Sequence, residues 1–368
     1  LKIEKIMKLR LGIQVNLVYV ILFLLPITLM SQETIKFPEH YVCTMATSPI
    51  TIDGISTDAA WQQAPWSDEF VDIEGDQMPT PKYKTRVKML WDEETLFILA
   101  EIEEPHIWAT ITEKDQIIYM DNDFEVFLDP DGDNHNYYEI EVNALGTIFD
   151  LFMKKPYKSG GRPLIGWDLP GLKTAIGING TKNDPSDTDV SWTVEMAMPF
   201  DAFRMFLPGK KTPVSGDIWR INFSRVQWRT EIVEGKYQKQ INPQTNKSFP
   251  EMNWVWSPQG IIDMHRPETW GYLVFTDHPK TTASNQDEID PYFNKKILLV
   301  DMYNQQKEFH SSHGNYAGSM FELNKWGRTS NRTIFIEATS RQFLISLETD
   351  NGKHLFIDHE KKYGWIKI

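Results

Sequence analysis

From Ile50 to about Phe275 the chain alternates short apolar-rich runs with turn chemistry. The runs are Thr85–Trp91, Thr95–Glu101, Asp123–Leu128, Tyr137–Val142, Thr147–Phe152, Lys173–Ile178, Ser191–Met198, Ile218–Val226 and Gly271–Phe275. Several alternate apolar and polar residues with period two, the pattern of a half-buried strand. Between them stand Asp-Pro-Asp-Gly-Asp, Ser-Gly-Gly, Asn-Gly, Asn-Asp-Pro and Pro-Gly, which favour turns for backbone reasons. Few segments hold a helical period. Many short strands with regular turns predict an all-β domain, an antiparallel β-sandwich with immunoglobulin-like or jelly-roll-like layers.

The pattern changes after residue 278. Residues 279–291 are polar and turn-rich and read as a linker. From Tyr292 to Phe309, Phe293, Ile297, Val300 and Tyr303 recur at helical spacing. Thr333–Ala338, Gln342–Leu347, His354–Ile357 and Gly364–Ile368 then read as a strand meander. Residues 292–368 are therefore expected to form a small helix-plus-sheet extension. A unit of that size is marginal alone unless it docks. A surface for a partner protein is one role open to it.

The first 31 residues have a different character. Residues 1–10 are basic through Lys2, Lys5, Lys8 and Arg10, residues 17–30 are apolar, and Ser31-Gln32-Glu33 turns polar. This order predicts a secretory signal peptide over 1–31. The apolar run is short for a membrane span, which needs about 20 residues. The expected location is secreted, periplasmic or at the cell surface, with no membrane span after cleavage.

Charge and composition narrow the ligand class. The formal net charge is −13, and the basic leader makes the remainder more acidic still. Such a body repels phosphate backbones, which argues against a nucleic-acid partner. Neutral polysaccharide is not opposed. Cys43 is the single cysteine, so no intrachain disulfide or paired-cysteine zinc site can form. Aromatic residues are abundant, with 13 Trp, 13 Tyr and 20 Phe. They suit either a large core or stacking platforms for the apolar faces of sugars. There is no Gly-x-Ser-x-Gly elbow, phosphate loop or two-histidine zinc helix, and no catalytic residue is assigned.

Several phrases in order resemble the family 9 carbohydrate-binding modules, a group of DOMON-like sandwiches. They are Ile50–Gly54 with Ala60-Trp61, Val87–Ile98, Asp121–Asp129, Tyr138–Asn143, Trp192–Pro199, Trp219–Arg225 and Arg266–Leu273. The resemblance covers 32–278 and implies a β-sandwich that holds sugar between two aromatic side chains, with charged and amide groups on its hydroxyls. It places one clamp at Tyr119, an acceptor at Glu125 and an amide at Asn143. Two positions depart from the family. Its sugar-binding arginine falls on Glu141, and its second clamp tryptophan falls near Met264, beside His265. Trp108, Trp167, Trp254 or Trp256 would then supply the missing ring.

The residues themselves agree in part. In Asp123–Leu128, Phe124, Val126 and Leu128 share one face, with Glu125 and Phe127 on the other. In Tyr138–Asn143, Glu139, Glu141 and Asn143 oppose Ile140 and Val142. Paired strands would merge these into one polar patch, either a solvated sheet face or a set of acceptors for sugar hydroxyls. Arg225, Gln227 and Arg229 alternate with Val226 and Trp228 and offer bidentate donors. Trp254 and Trp256 share a face, suited to a platform or to core. The acidic turn Asp129, Asp131, Asp133 has hard oxygen ligands at a spacing compatible with structural calcium, or is a bare acidic turn. No cofactor is required.

The resulting expectation is an exported carbohydrate-binding protein of polysaccharide capture and catabolism, acting through Tyr119, Glu125, Glu141, Asn143, Arg225, Trp256, Met264 and His265. Its ligand would be a polysaccharide or oligosaccharide. The first alternative is a glycoside hydrolase using a carboxylate pair. The second is a haem-binding sandwich, without covalent attachment because a single cysteine permits none.

Overall fold

The computed structural model describes residues 35–206, 212–278, 285–323, 334–349 and 352–367. The expected signal peptide and residues 279–284 of the expected linker lie outside the described residues. All nine expected sandwich runs are strands. In chain order the main elements are β1 (His40–Met45), β2 (Thr85–Trp91), β3 (Thr95–Glu103), β4 (Asp123–Asp129), β5 (Tyr137–Asn143), β6 (Ile148–Met153) and β7 (Lys173–Asn179). They continue with β8 (Ser191–Pro199), β9 (Ile218–Gln227), β10 (Met252–Val255) and β11 (Gly271–Thr276). The sequence pattern did not announce β1 or the four-residue β10.

These strands and two two-residue segments make one curled sheet of thirteen strands. From the short Pro163–Leu164 edge the order runs β6, β5, β4, β9, β11, β1, β2, β3, β8, β7, while β10 pairs with β9 off this path. Most pairs are antiparallel, as expected; β1 runs parallel to both β11 and β2. The sheet curls around a core that takes alternate residues from both layers, among them Val87, Ile98, Val126, Ile140, Val194 and Ile221. Period-two alternation is what turns these apolar side chains inward together.

The sequence phrases near the start of the sandwich have a shared structural purpose. Glu195 on β8 accepts the backbone N–H groups of Asp53 and Gly54, each at 2.9 Å, and the Trp61 indole N–H at 2.8 Å. Gly54 has φ +82° and lies against β7, where a Cβ would come within 2.5 Å of the Gly177 nitrogen. Only glycine combines that backbone with that approach.

The helix α1 (Phe293–His313) packs on an antiparallel sheet of β12 (Ile334–Ala338), β13 (Phe343–Glu348), β14 (His354–Asp358) and β15 (Tyr363–Ile366). Their shared core includes Leu299, Val300, Ile345, Leu355 and Ile357. The extension docks on the sandwich at the turn between β4 and β5. The Tyr363 N–H donates to the Asp133 carbonyl at 3.0 Å, the Asn134 amide donates to the Lys361 carbonyl at 3.0 Å, and Lys362 pairs with Asp133 at 2.9 Å. Lys361 also pairs with buried Glu268, just before β11. Among the described residues no helix is long and apolar enough to cross a membrane.

Candidate functional site

A cleft of about 440 Å³ opens on the face of β4, β5 and β6 that is turned away from the core. This is within the size range of small-molecule sites, roughly 300 to 1,000 Å³. Its floor takes the residues the alternation leaves over once Phe124, Val126, Ile140 and Val142 face inward. They are Glu125 and Phe127 from β4, Glu139 and Glu141 from β5, and Phe149 and Leu151 from β6. Antiparallel register sets Glu125 opposite Glu141 and Phe127 opposite Glu139. The walls come from loops: Tyr119 from one 3-10 turn, Tyr157 from another, and Met264 and His265 from the segment before β11. Ile117, Tyr119, Tyr157, Ile165 and Ile262 are exposed apolar or aromatic groups on its lining.

The floor is acidic, and its carboxylates are largely buried. Glu125, Glu139 and Glu141 are buried, and Asp123, next to Glu125 on the same face of β4, has no exposure. Burial pushes all four carboxyls well above the ordinary carboxylate range. Neighbouring carboxylates push the same way, Glu125 acting on Asp123, Glu139 and Glu141. The Tyr119 N–H donates to Glu141 Oε2 at 3.0 Å, tying wall to floor. His265 lies against Tyr157 with ring centroids 4.4 Å apart and bonds the Tyr137 hydroxyl through Nδ1 at 2.9 Å. Burial lowers its imidazole to about 4, so it is neutral at ordinary pH.

Five of the eight expected binding positions therefore meet: Tyr119, Glu125, Glu141, Met264 and His265. Three do not line the cleft. Asn143 donates to the Ile111 carbonyl and to Asp121, and accepts from the Leu145 and Thr147 N–H groups, which uses its whole capacity. Arg225 stands opposite Phe124 and Trp254, on the core face. There it bonds Gln227 at 2.6 Å and Thr85 at 3.1 Å and pairs with Glu104 at 3.0 Å. Trp256 is core, packed on Phe223, its ring filling the space that a Cβ at Gly271 would need. Trp108, Trp167 and Trp254 do not line the cleft either. A second exposed aromatic ring at the cleft is Tyr157, beside a Ser-Gly-Gly turn and not among the expected residues. Asp123 and Glu139 were also missed as site residues, although the period-two alternation already set both on the face of Glu125 and Glu141.

Three acidic groups among the described residues bring carboxylate oxygens within 4.8 Å of one another. One is the expected Asp129, Asp131, Asp133 set. Asp129 spends one oxygen on the Gly132 N–H and the other on the Asn134 N–H, and Lys362 pairs with Asp133. The second is Asp115, Asp150 and Asp168, gathered around the Lys114 ammonium. The third is Asp123, Glu125 and Glu141 beneath the cleft.

Residues 52–213, which include β2 to β8 and the cleft floor, match the family described as carbohydrate family 9 binding domain-like. The similarity is confined to this segment. No curated protein matches the chain. Among solved structures, the family 9-like sandwich is similar to a "putative carbohydrate-binding protein" from Bacteroides uniformis, at 16% identity and TM-score 0.48, over 65% of this chain and 99% of that one. It is also similar to a family 9 carbohydrate-binding module from Caldicellulosiruptor kristjanssonii. In complex with glucose that module aligns at 15% identity and TM-score 0.39, over 67% of this chain and 99% of its own. In complex with cellotriose the values are 15%, 0.38, 67% and 98%.

Proposed function

We propose that this protein is an exported carbohydrate-binding protein whose ligand lies in the cleft over Glu125, Glu139 and Glu141. The supporting observation is the combination of exposed Tyr119 and Tyr157 with a carboxylate floor, inside a family 9-like domain. Sugars present an apolar C–H face and a ring of hydroxyls. Tyr119 and Tyr157 offer faces for the first, and the carboxylates accept from the second. Affinity is modest, because each sugar hydroxyl exchanges water for protein at small net gain. Export rests on the basic, apolar, polar order of residues 1–33. Calorimetry of the mature chain against plant, algal and bacterial glycans tests the reading. Binding that weakens in Tyr157→Ala supports it; no heat with any glycan overturns it.

A second reading, glycoside hydrolysis, is favoured by one observation: Glu125 and Glu139 are buried carboxyls lining the same cleft, both raised toward the range of a general acid. New reducing ends from a bound glycan would establish it. Binding without them would leave a binding protein.

A further inference from the structure

Burying one carboxylate costs several kcal/mol unless something compensates it, and each like charge beside it adds to the cost. Asp123, Glu125 and Glu141 are all buried, with oxygens within 4.8 Å of one another. Neither oxygen of Asp123 makes a hydrogen bond of ordinary geometry, the Val226 backbone across the sheet being the one donor that acts on its carboxyl, although the residue is wholly shielded from solvent. The other two acidic groups each contain a lysine, Lys362 in one and Lys114 in the other. Here no lysine, arginine or histidine pairs with any of the three carboxylates among the described residues. The guanidinium nearest in the sheet, on Arg225, is turned to the opposite face and held by Glu104. The floor has the anionic part of an ion site without its cation.

We propose that Asp123, Glu125 and Glu141 bind a calcium ion, and that this ion takes two adjacent hydroxyl oxygens of the glycan as further ligands. The second half rests on the glycan-binding reading above. Three carboxylates and no nitrogen or sulfur donor make a hard oxygen site. Calcium accepts six to eight oxygens in flexible geometry, whereas magnesium demands a near-ideal octahedron and keeps its waters. Asp123 stands beside Glu125 on the same face of β4, shut off from solvent, while Glu125 and Glu141 line the open cleft. The coordination positions on the cleft side are left to water or to neutral oxygens of a ligand. A vicinal diol supplies two such oxygens at the right spacing, and Tyr119 and Tyr157 stand where the ring would pack.

The test uses the mature full chain, stripped with EDTA and titrated with calcium chloride alone. Wild type is expected to bind calcium, and Asp123→Asn to lose roughly tenfold or more in affinity through the missing ligand charge. Thermal unfolding gives a second readout. In EDTA, Asp123→Asn melts at or above wild type, because a buried acid crowded by Glu125 is replaced by a neutral amide. In calcium, wild type rises and the variant does not. Equal calcium affinity in both proteins, or none in either, overturns the ion site. A glycan identified by calorimetry should bind at least about tenfold more weakly in EDTA. Calcium binding with glycan affinity unchanged by EDTA overturns the bridging role alone. Glycan binding without any calcium binding overturns this inference and leaves the proposed function standing. Calcium binding with no glycan binding overturns the proposed function, and the bridging role with it.

Discussion

The Trp61 indole N–H donates to Glu195 Oε1 at 2.8 Å, across 134 residues of sequence, with both side chains fully buried. The same carboxylate collects the Asp53 and Gly54 N–H groups. Three donors depend on one acceptor. Glu195→Ala strands all three and should cost about 3 kcal/mol or more, since each buried unsatisfied group costs about 1 to 3 kcal/mol. Trp61→Phe removes a single bond and should cost about half as much. Urea unfolding of the two variants checks the ranking; equal losses would contradict it.

Rings in the cleft and rings in the core should separate cleanly. Tyr119→Ala and Tyr157→Ala remove half-exposed side chains and should weaken glycan binding while leaving the melting temperature almost unchanged. Trp256→Ala empties core volume and should cost about 3 to 5 kcal/mol. Calorimetry beside thermal unfolding decides it. A Trp256 variant that folds normally but loses glycan would return that residue to the site.

Glu268 makes the dock of the extension pH-dependent. Burial pushes its carboxyl up, but the Lys361 ammonium and the Arg266 guanidinium outweigh this and hold it at about 2. The folded form therefore binds its proton less readily than the unfolded chain. The resulting stability is full above the ordinary value of 4.5 and disappears as pH falls toward 2. It amounts to about 3 kcal/mol. Urea midpoints at several pH values should fall through this window in wild type. In Lys361→Met the midpoint should start lower and fall less steeply.

Cys43 lies on β1 with no exposure, and burial pushes its thiol well above the ordinary range. The native protein should leave a thiol reagent unconsumed and react with one equivalent only after unfolding. Rapid reaction of the folded chain would mean that β1 opens readily.

Most of the fold was legible because alternation is a local property. The expected runs match strands to within two residues at each end, and the helix beginning near Tyr292 was visible from its spacing. The site was half legible. Glu125 and Glu141 could be put on one face from sequence, but their burial could not, because the segment of Met264 and His265 comes from a distant position and the turn of Tyr119 has no period to follow. Arg225 shows a readable error. The alternation through Trp219, Ile221 and Phe223 points inward, and Arg225 continues it. Its charge suggested a surface that its register denies. Tyr157 carried no comparable pattern, since an irregular turn has no period to follow.

The docked extension has a consequence for the floor. The β4–β5 hairpin is fastened at its turn by residues 361–363 and at its open end by Asn143, which bridges Asp121 and Ile111. Directly opposed like charges such as Glu125 and Glu141 urge a strand pair to splay or slip. A slip of one residue would carry every carboxylate of β5 to the wrong face. Fastened at both ends, the hairpin cannot ratchet. Part of the support for the spacing of the acids therefore comes from residues 361–363, which do not line the cleft.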